Sequence, residues 1–172
     1  GYAVEFGYCW LMTALLSVLV AVRDGFDAIQ ACNPPDTYWA LALLWRPMGK
    51  KFVYDQHDLN PEVFLSRFGE PTGVGGRAQL AVLRWLERRT YRAADHVIST
   101  NESYRNVAMS RGGRSPAEVT VVRSGPDTSV MRPVEPTPQL RSGRRHLAVY
   151  LGIMGPQDGV DLALRAFSEV VH

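Results

Sequence analysis

Apolar and polar positions change period repeatedly along the chain, and the changes predict helices and strands in turn. Residues 8–22 form an unbroken apolar run between Glu5 and Arg23. It is shorter than the roughly 20 residues a bilayer-spanning helix needs, so it is expected to be a helix packed in a core. Gly25 ends it, and residues 26–32 read as a strand leading into Asn33-Pro34-Pro35-Asp36. Residues 37–45 carry Trp39, Leu41, Leu43, Leu44 and Trp45, the apolar spread of a helix lying on a sheet, closed by Pro47 and Gly49. Phe52, Val53 and Tyr54 then read as a short buried strand. Asn60-Pro61-Glu62 reads as a helix start, with Asn as the cap, Pro at the first helical position and an acid in the first turn.

The same alternation continues. A Gly-rich loop spans residues 69–76, and because no Gly-Lys-Ser/Thr follows it is read as surface loop and not a Walker cradle. A long helix over residues 77–93 places Val82, Trp85 and Leu86 toward the core and Arg77, Arg84, Arg88 and Arg92 on one face. Residues 95–100 and 119–122 read as strands, and each ends in polar residues. Strands alternating with helices at this pitch predict an α/β fold with a Rossmann-like parallel sheet. Residues 127–146 lose the apolar period and gain Pro133, Pro136, Pro138 and Gly143, the composition of a linker. Beyond it, residues 147–151 read as a strand entering a glycine-bearing turn and a last helix, the first βα unit of a second Rossmann-like domain. The expected organisation is therefore a first domain over residues 1–126, a linker over 127–146 and a second domain from 147 to 172. No Met opens the sequence and its last helical run has no terminator, as expected of a fragment.

Composition narrows the class. At 172 residues and 46% hydrophobic, the chain can bury a sizeable core. A net charge of +2 gives no reason to expect nucleic acid. Cys9 and Cys32 form no zinc pattern and sit among apolar residues, where a reduced, buried thiol and a cytoplasmic setting are expected. The arginine stripe admits two readings: a solvated face, or peripheral contact with the anionic inner face of a membrane.

Candidate chemistry gathers at the strand ends, where open parallel sheets bind ligands. His57 and Asp58 lie there. Side-chain alternation puts Asp55 and His57 on one face and Gln56 and Asp58 on the other, so one metal gripped by all four is not expected. A helix-capping loop is the plainer reading of the same residues. No Gly-x-Ser-x-Gly elbow, Walker loop, His-Glu-x-x-His or Asp-x-Asp is present. Paired acids of the last kind commonly hold a cation on a nucleotide-sugar diphosphate. The turn Gly152-Ile153-Met154-Gly155, closing at Gly159, could bring backbone N–H groups to a phosphate, or Asp158 could simply cap the helix.

Four blocks in order carry a resemblance: Tyr54-Asp55-Gln56-His57-Asp58-Leu59-Asn60-Pro61-Glu62, then residues 94–103, then Val122-Arg123-Ser124-Gly125-Pro126-Asp127, then residues 150–160. Together they resemble the retaining family-4 glycosyltransferases of the GT-B fold. The resemblance implies a chain lacking the start of the N-terminal domain and most of the C-terminal one. It further implies a hexosyltransferase-type enzyme moving sugar from a nucleotide-sugar donor to a saccharide or lipid-linked saccharide acceptor, in cell-surface or exopolysaccharide synthesis, with no metal and no cofactor.

By the same resemblance His57 and Asp58 are catalytic. Arg123, Gly125, Gly152, Ile153, Met154, Gly155 and Gly159 are donor-binding, and Glu62, Asn101, Glu102 and Ser103 lie on the acceptor side. His57 is implied to orient a hydroxyl opposite the glycine turn. Family members often carry Arg after the first Gly of that turn and Lys before the last, where this chain has Ile153 and Asp158. That departure keeps open a non-catalytic nucleotide-sugar-binding subunit, and the shared fold separately leaves a nucleotide-sugar epimerase as the alternative enzyme. This stretch by itself is expected to be inactive.

Overall fold

The structure is a computed structural model that describes residues 2–155 and 158–170. It divides into two compact units, residues 1–124 and residues 125–172. In the first unit, four strands form one sheet: β1 (Ala28–Cys32), β2 (Lys51–Gln56), β3 (His96–Ser99) and β4 (Val119–Val121). All neighbours are parallel and the order follows the sequence, with Cys32 opposite Asp55 and Gln56 opposite Ser99. The helices of this unit are α1 (Tyr2–Arg23), α2 (Trp39–Trp45), α3 (Asn60–Phe68), α4 (Val74–Ala93) and α5 (Glu102–Ser110). The parallel α/β architecture is therefore the expected one.

The core lies on one face of the sheet. Phe52, Tyr54, Val97 and Val119 from the strands meet Ala42, Tyr91, Ala93 and Ala108 from the helices and Ala94, just after α4. Tyr54 and Tyr91 pack edge to face with ring centroids 5.5 Å apart, a geometry that aromatic quadrupoles favour. Gly112 lets the chain pass over this pair, since a β-carbon there would lie 2.4 Å from the Ala108 carbonyl and 2.6 Å from the Tyr91 ring.

Several expectations are corrected. α1 is not a core helix: Val4, Phe6, Leu19 and Val22 are all more than half exposed. One tie to the rest of the unit is the bond from Trp45 Nε1 to Ser17 Oγ, 3.0 Å. The helix is also longer than the apolar run implied, and Val4–Arg23 reaches a length and mean hydropathy (1.7) compatible with crossing a membrane. A run apolar on every side has no stripe to say which side should be covered. Cys9 and Cys32 are free and exposed, not buried.

In α4, Val82 and Trp85 stand outward while Leu80, Glu87, Thr90 and Tyr91 face the core. Trp85 packs instead on Trp39, with the Arg89 guanidinium over both rings. Asn60 is the first residue of α3 and not its cap, because its amide is drawn to Asp36.

In the second unit, residues 147–151 form no strand and are exposed. Strand hydrogen bonds need a neighbouring strand, and among the described residues of this unit there is none. Among its described residues the unit holds a 3₁₀ turn at Pro138–Arg141 and a helix, α6 (Val160–Val170). The final residues of the expected last helix, 171–172, lie outside the described residues.

Candidate functional site

β1 and β2 end side by side, and their parallel register sets Asn33 beneath the segment that follows β2. Asn33 is buried, and its Oδ1 accepts from the backbone N–H of His57 (2.7 Å) and of Asp58 (3.1 Å). Its Nδ2 donates to the carbonyl of Asp58 at 2.7 Å. One amide side chain thus satisfies three backbone groups of a turn that has no ladder of its own. The His57 and Asp58 backbone is clamped, and the imidazole stays half exposed at the sheet's carboxyl edge.

Alternation along β2 acts as expected. Gln56 is fully buried, while Asp55 and His57 point to the opposite face. His57 Nε2 lies 3.2 Å from Asp55 Oδ1, and Asp55 Oδ2 accepts from Gln30 Nε2 at 2.8 Å. The carboxylate beside the imidazole is therefore that of Asp55. Cys32 Sγ is 3.7 Å from the same carboxylate. Burial first, and then the Asp55 charge, push the Cys32 thiol up from its ordinary range.

Beneath this edge runs a chain of buried polar groups. Tyr54 donates to Asp36 Oδ1 at 2.9 Å, and Asn60 Nδ2 donates to Asp36 Oδ2. Desolvation raises the Asp36 carboxyl above its usual range even so. Gln56 Nε2 donates to the Tyr91 hydroxyl at 2.6 Å, and Ser99 Oγ donates to Gln56 Oε1 at 3.1 Å.

Arg111, which follows α5, reaches Glu62 through two bonds of 2.6 and 3.0 Å and Glu87 Oε1 through one of 2.8 Å. Its Nε also stands 2.7 Å from Glu87 Oε2 without a hydrogen-bond angle, so that contact is electrostatic only. Burial pushes Glu87 up to about 7 against the pull of Arg111. At Glu62 burial acts the same way, but Arg111 outweighs it and the carboxyl is held below its ordinary value.

The residues singled out from sequence fall into separate groups. His57 and Asp58 share the Asn33 clamp, and Glu62 belongs to the Arg111 network. Asn101 caps α5 by accepting from the Tyr104 N–H at 2.9 Å, Glu102 pairs with Arg105 at 3.4 Å, and Ser103 is exposed. Among the described residues no hydrogen bond joins these three to His57.

Arg123 and Gly125 are exposed, at the end of the first unit and the start of the second. In the second unit, Gly152, Ile153 and Met154 are exposed, and Tyr150 donates to the Ile153 carbonyl at 2.9 Å. Asp158 Oδ2 accepts from the Gly155 N–H at 2.8 Å, and Gly159 adopts a positive φ of 64° ahead of α6. Asp158 thus holds the turn instead of capping the helix. Sequence reading put Asp55 on the His57 face without assigning it a role, and missed Asn33, Asp36 and Arg111 as partners of the site. Asn33 and Asp36 carried a signal, since both lie just after a strand end.

A family model described as Glycosyltransferase Family 4 matches residues 4–130. No curated protein matches the chain.

Proposed function

The chain belongs to glycosyltransferase family 4, and on that premise, which makes it a transferase domain acting on a sugar donor and an acceptor, we propose the following chemistry. The donor is a nucleotide sugar, transfer retains the anomeric configuration, and no metal or cofactor enters the step. The acceptor is a saccharide or lipid-linked saccharide of cell-surface or exopolysaccharide synthesis, handled on the cytoplasmic side of a membrane.

The observation that carries this reading is the half-exposed imidazole of His57, clamped through its backbone by Asn33 and flanked by Asp55. A ring fixed in that way can orient a sugar hydroxyl for attack on the face the leaving diphosphate vacates. The protein then contributes positioning and electrostatics, not a covalent nucleophile. Asp58 acts through its clamped backbone. Glu62, Asn101, Glu102 and Ser103 serve the acceptor side, while Arg123, Gly125 and the turn from Gly152 to Gly159 serve the donor diphosphate. Exposed Arg77, Arg84, Arg88 and Arg92 would touch anionic lipid. Equal co-sedimentation with neutral and anionic vesicles would remove that contact.

His57→Ala in the enzyme that contains this chain should lower kcat about 100-fold or more with an unchanged circular dichroism spectrum, on the scale of losing one positioned group. Turnover within a few fold of wild type would exclude His57 from the reaction. One observation favours a second reading, a nucleotide-sugar binder without transfer: the Asp158 carboxylate already occupies the Gly155 amide. Calorimetry with nucleoside diphosphates separates the two, because a transferase must hold its donor's diphosphate.

A further inference from the structure

The parallel register that pairs Cys32 with Asp55 puts three different ligating atoms on one exposed edge of the sheet. Cys32 Sγ, an Asp55 carboxylate oxygen and His57 Nε2 all lie within 4.8 Å of one another. From this geometry we infer that Cys32, Asp55 and His57 form a binding site for a zinc-class divalent cation.

Bond lengths support it. Zinc held by sulfur at about 2.3 Å, nitrogen at about 2.05 Å and oxygen at about 2.1 Å in a tetrahedron gives ligand-to-ligand edges of about 3.6 Å (S to O) and about 3.4 Å (N to O). Cys32 Sγ lies 3.7 Å from Asp55 Oδ2 and His57 Nε2 lies 3.2 Å from Asp55 Oδ1, each near one such edge but on different oxygens of the same carboxylate. With all three ligating atoms within 4.8 Å of one another, a cation could enter once rotation of the side chains draws one Asp55 oxygen toward both the sulfur and the ring nitrogen. Two adjacent strands supply them, so the backbone is already rigid. Gln30 Nε2 donates to Asp55 Oδ2 at 2.8 Å, an orienting contact of the kind metal ligands commonly receive, and leaves Oδ1 as the oxygen for a cation.

The ligand set selects the ion. A thiolate with an imidazole suits zinc and disfavours magnesium and calcium, which prefer an all-oxygen shell. Three protein ligands leave the fourth position to water, as in open zinc sites. Binding releases the Cys32 proton to solvent and forms an S–Zn bond, with no change in oxidation state.

Nothing in the sequence motif announces this site, because Cys32 lies 23 positions from Asp55. It is compatible with metal-free transfer, since a cation on the His57 ring would remove that ring from a sugar hydroxyl. Zinc should then inhibit the enzyme. That consequence rests on the transfer reading; the binding does not.

The test titrates Zn²⁺ against a chromophoric chelator in the presence of the 172-residue chain, and uses Co²⁺ as a spectroscopic probe of sulfur ligation. One equivalent should bind, with a thiolate-to-cobalt charge-transfer band. Cys32→Ser and His57→Ala should each weaken binding at least about 100-fold, and Gln30→Ala about 10-fold. Cys9→Ser removes the other exposed thiol and should leave the band intact. Absence of one-equivalent binding, a band that survives Cys32→Ser, or one lost in Cys9→Ser would each overturn the site. Binding without inhibition of transfer would sustain the site and count against His57 as the hydroxyl-orienting group.

Discussion

The turn after β2 and the turn from Gly152 to Gly159 are written alike, a short apolar stretch running into polar residues, a glycine or proline, and an amphipathic helix. Only the first is built into the molecule. Its strand lies between β1 and β3, its two leading residues are held by the buried Asn33, and the helix that follows is joined through Glu62 to Arg111 and Glu87. The second turn follows a segment with no strand partner among the described residues of its own unit, its Gly152, Ile153, Met154 and Asp158 stand exposed, and it is braced by its own Asp158 and Tyr150. A strand–turn–helix pattern therefore states where a site could be, and neighbouring strands supply the groups that hold it rigid.

The sharpest way to break this contrast is Asn33→Ala. It strands two backbone donors and one acceptor around His57 and should cost about 2–4 kcal/mol, read as a lower urea midpoint at constant slope. Asn33→Asp keeps an acceptor for both N–H groups but, ionised, sets a carboxylate oxygen against the Asp58 carbonyl and beside Asp36, so its loss should be the smaller one only at acid pH, where the protonated group still donates. Equal losses for the two at acid pH would show that the clamp does not work through Oδ1.

Next in size is Glu87→Gln. The folded chain holds the Glu87 proton up to about 7, whereas the unfolded chain releases it near 4.5. Across that window the folded state binds more protons, so stability is greatest below it and falls as pH rises through it. The variant should flatten the slope by about 1–3 kcal/mol between the two limits. A slope unchanged by the substitution would mean that Glu87 is not buried as described.

The smallest effect is expected in the second turn. Asp158→Asn removes a negative charge from the Gly155 amide and should tighten nucleoside diphosphate binding by a few fold, with folding stability within about 0.5 kcal/mol. A large stability loss would instead mark this turn as built like the first.

The contrast between α1 and α4 carries a related lesson. α1 is the more apolar helix and buries almost nothing, while the arginine-rich α4 places Leu80, Thr90, Tyr91 and even Glu87 in the core. Which side of a helix is covered depends on what stands next to it, and a period count one step out moved Val82 and Trp85 to the wrong side.

Local pattern alone determined the alternation of strands and helices, the parallel sheet, the opposite facing of Gln56 and His57, and the strand-end address of the imidazole. These follow from backbone geometry that repeats every two or 3.6 residues and needs no distant partner. Tertiary structure decided that Asn33 clamps the His57 turn, that Cys32 joins His57 and Asp55, and that residues 147–151 remain unpaired. Each of those depends on strand register or on residues tens of positions away, and spacing along the chain holds no information about which neighbour the fold will bring.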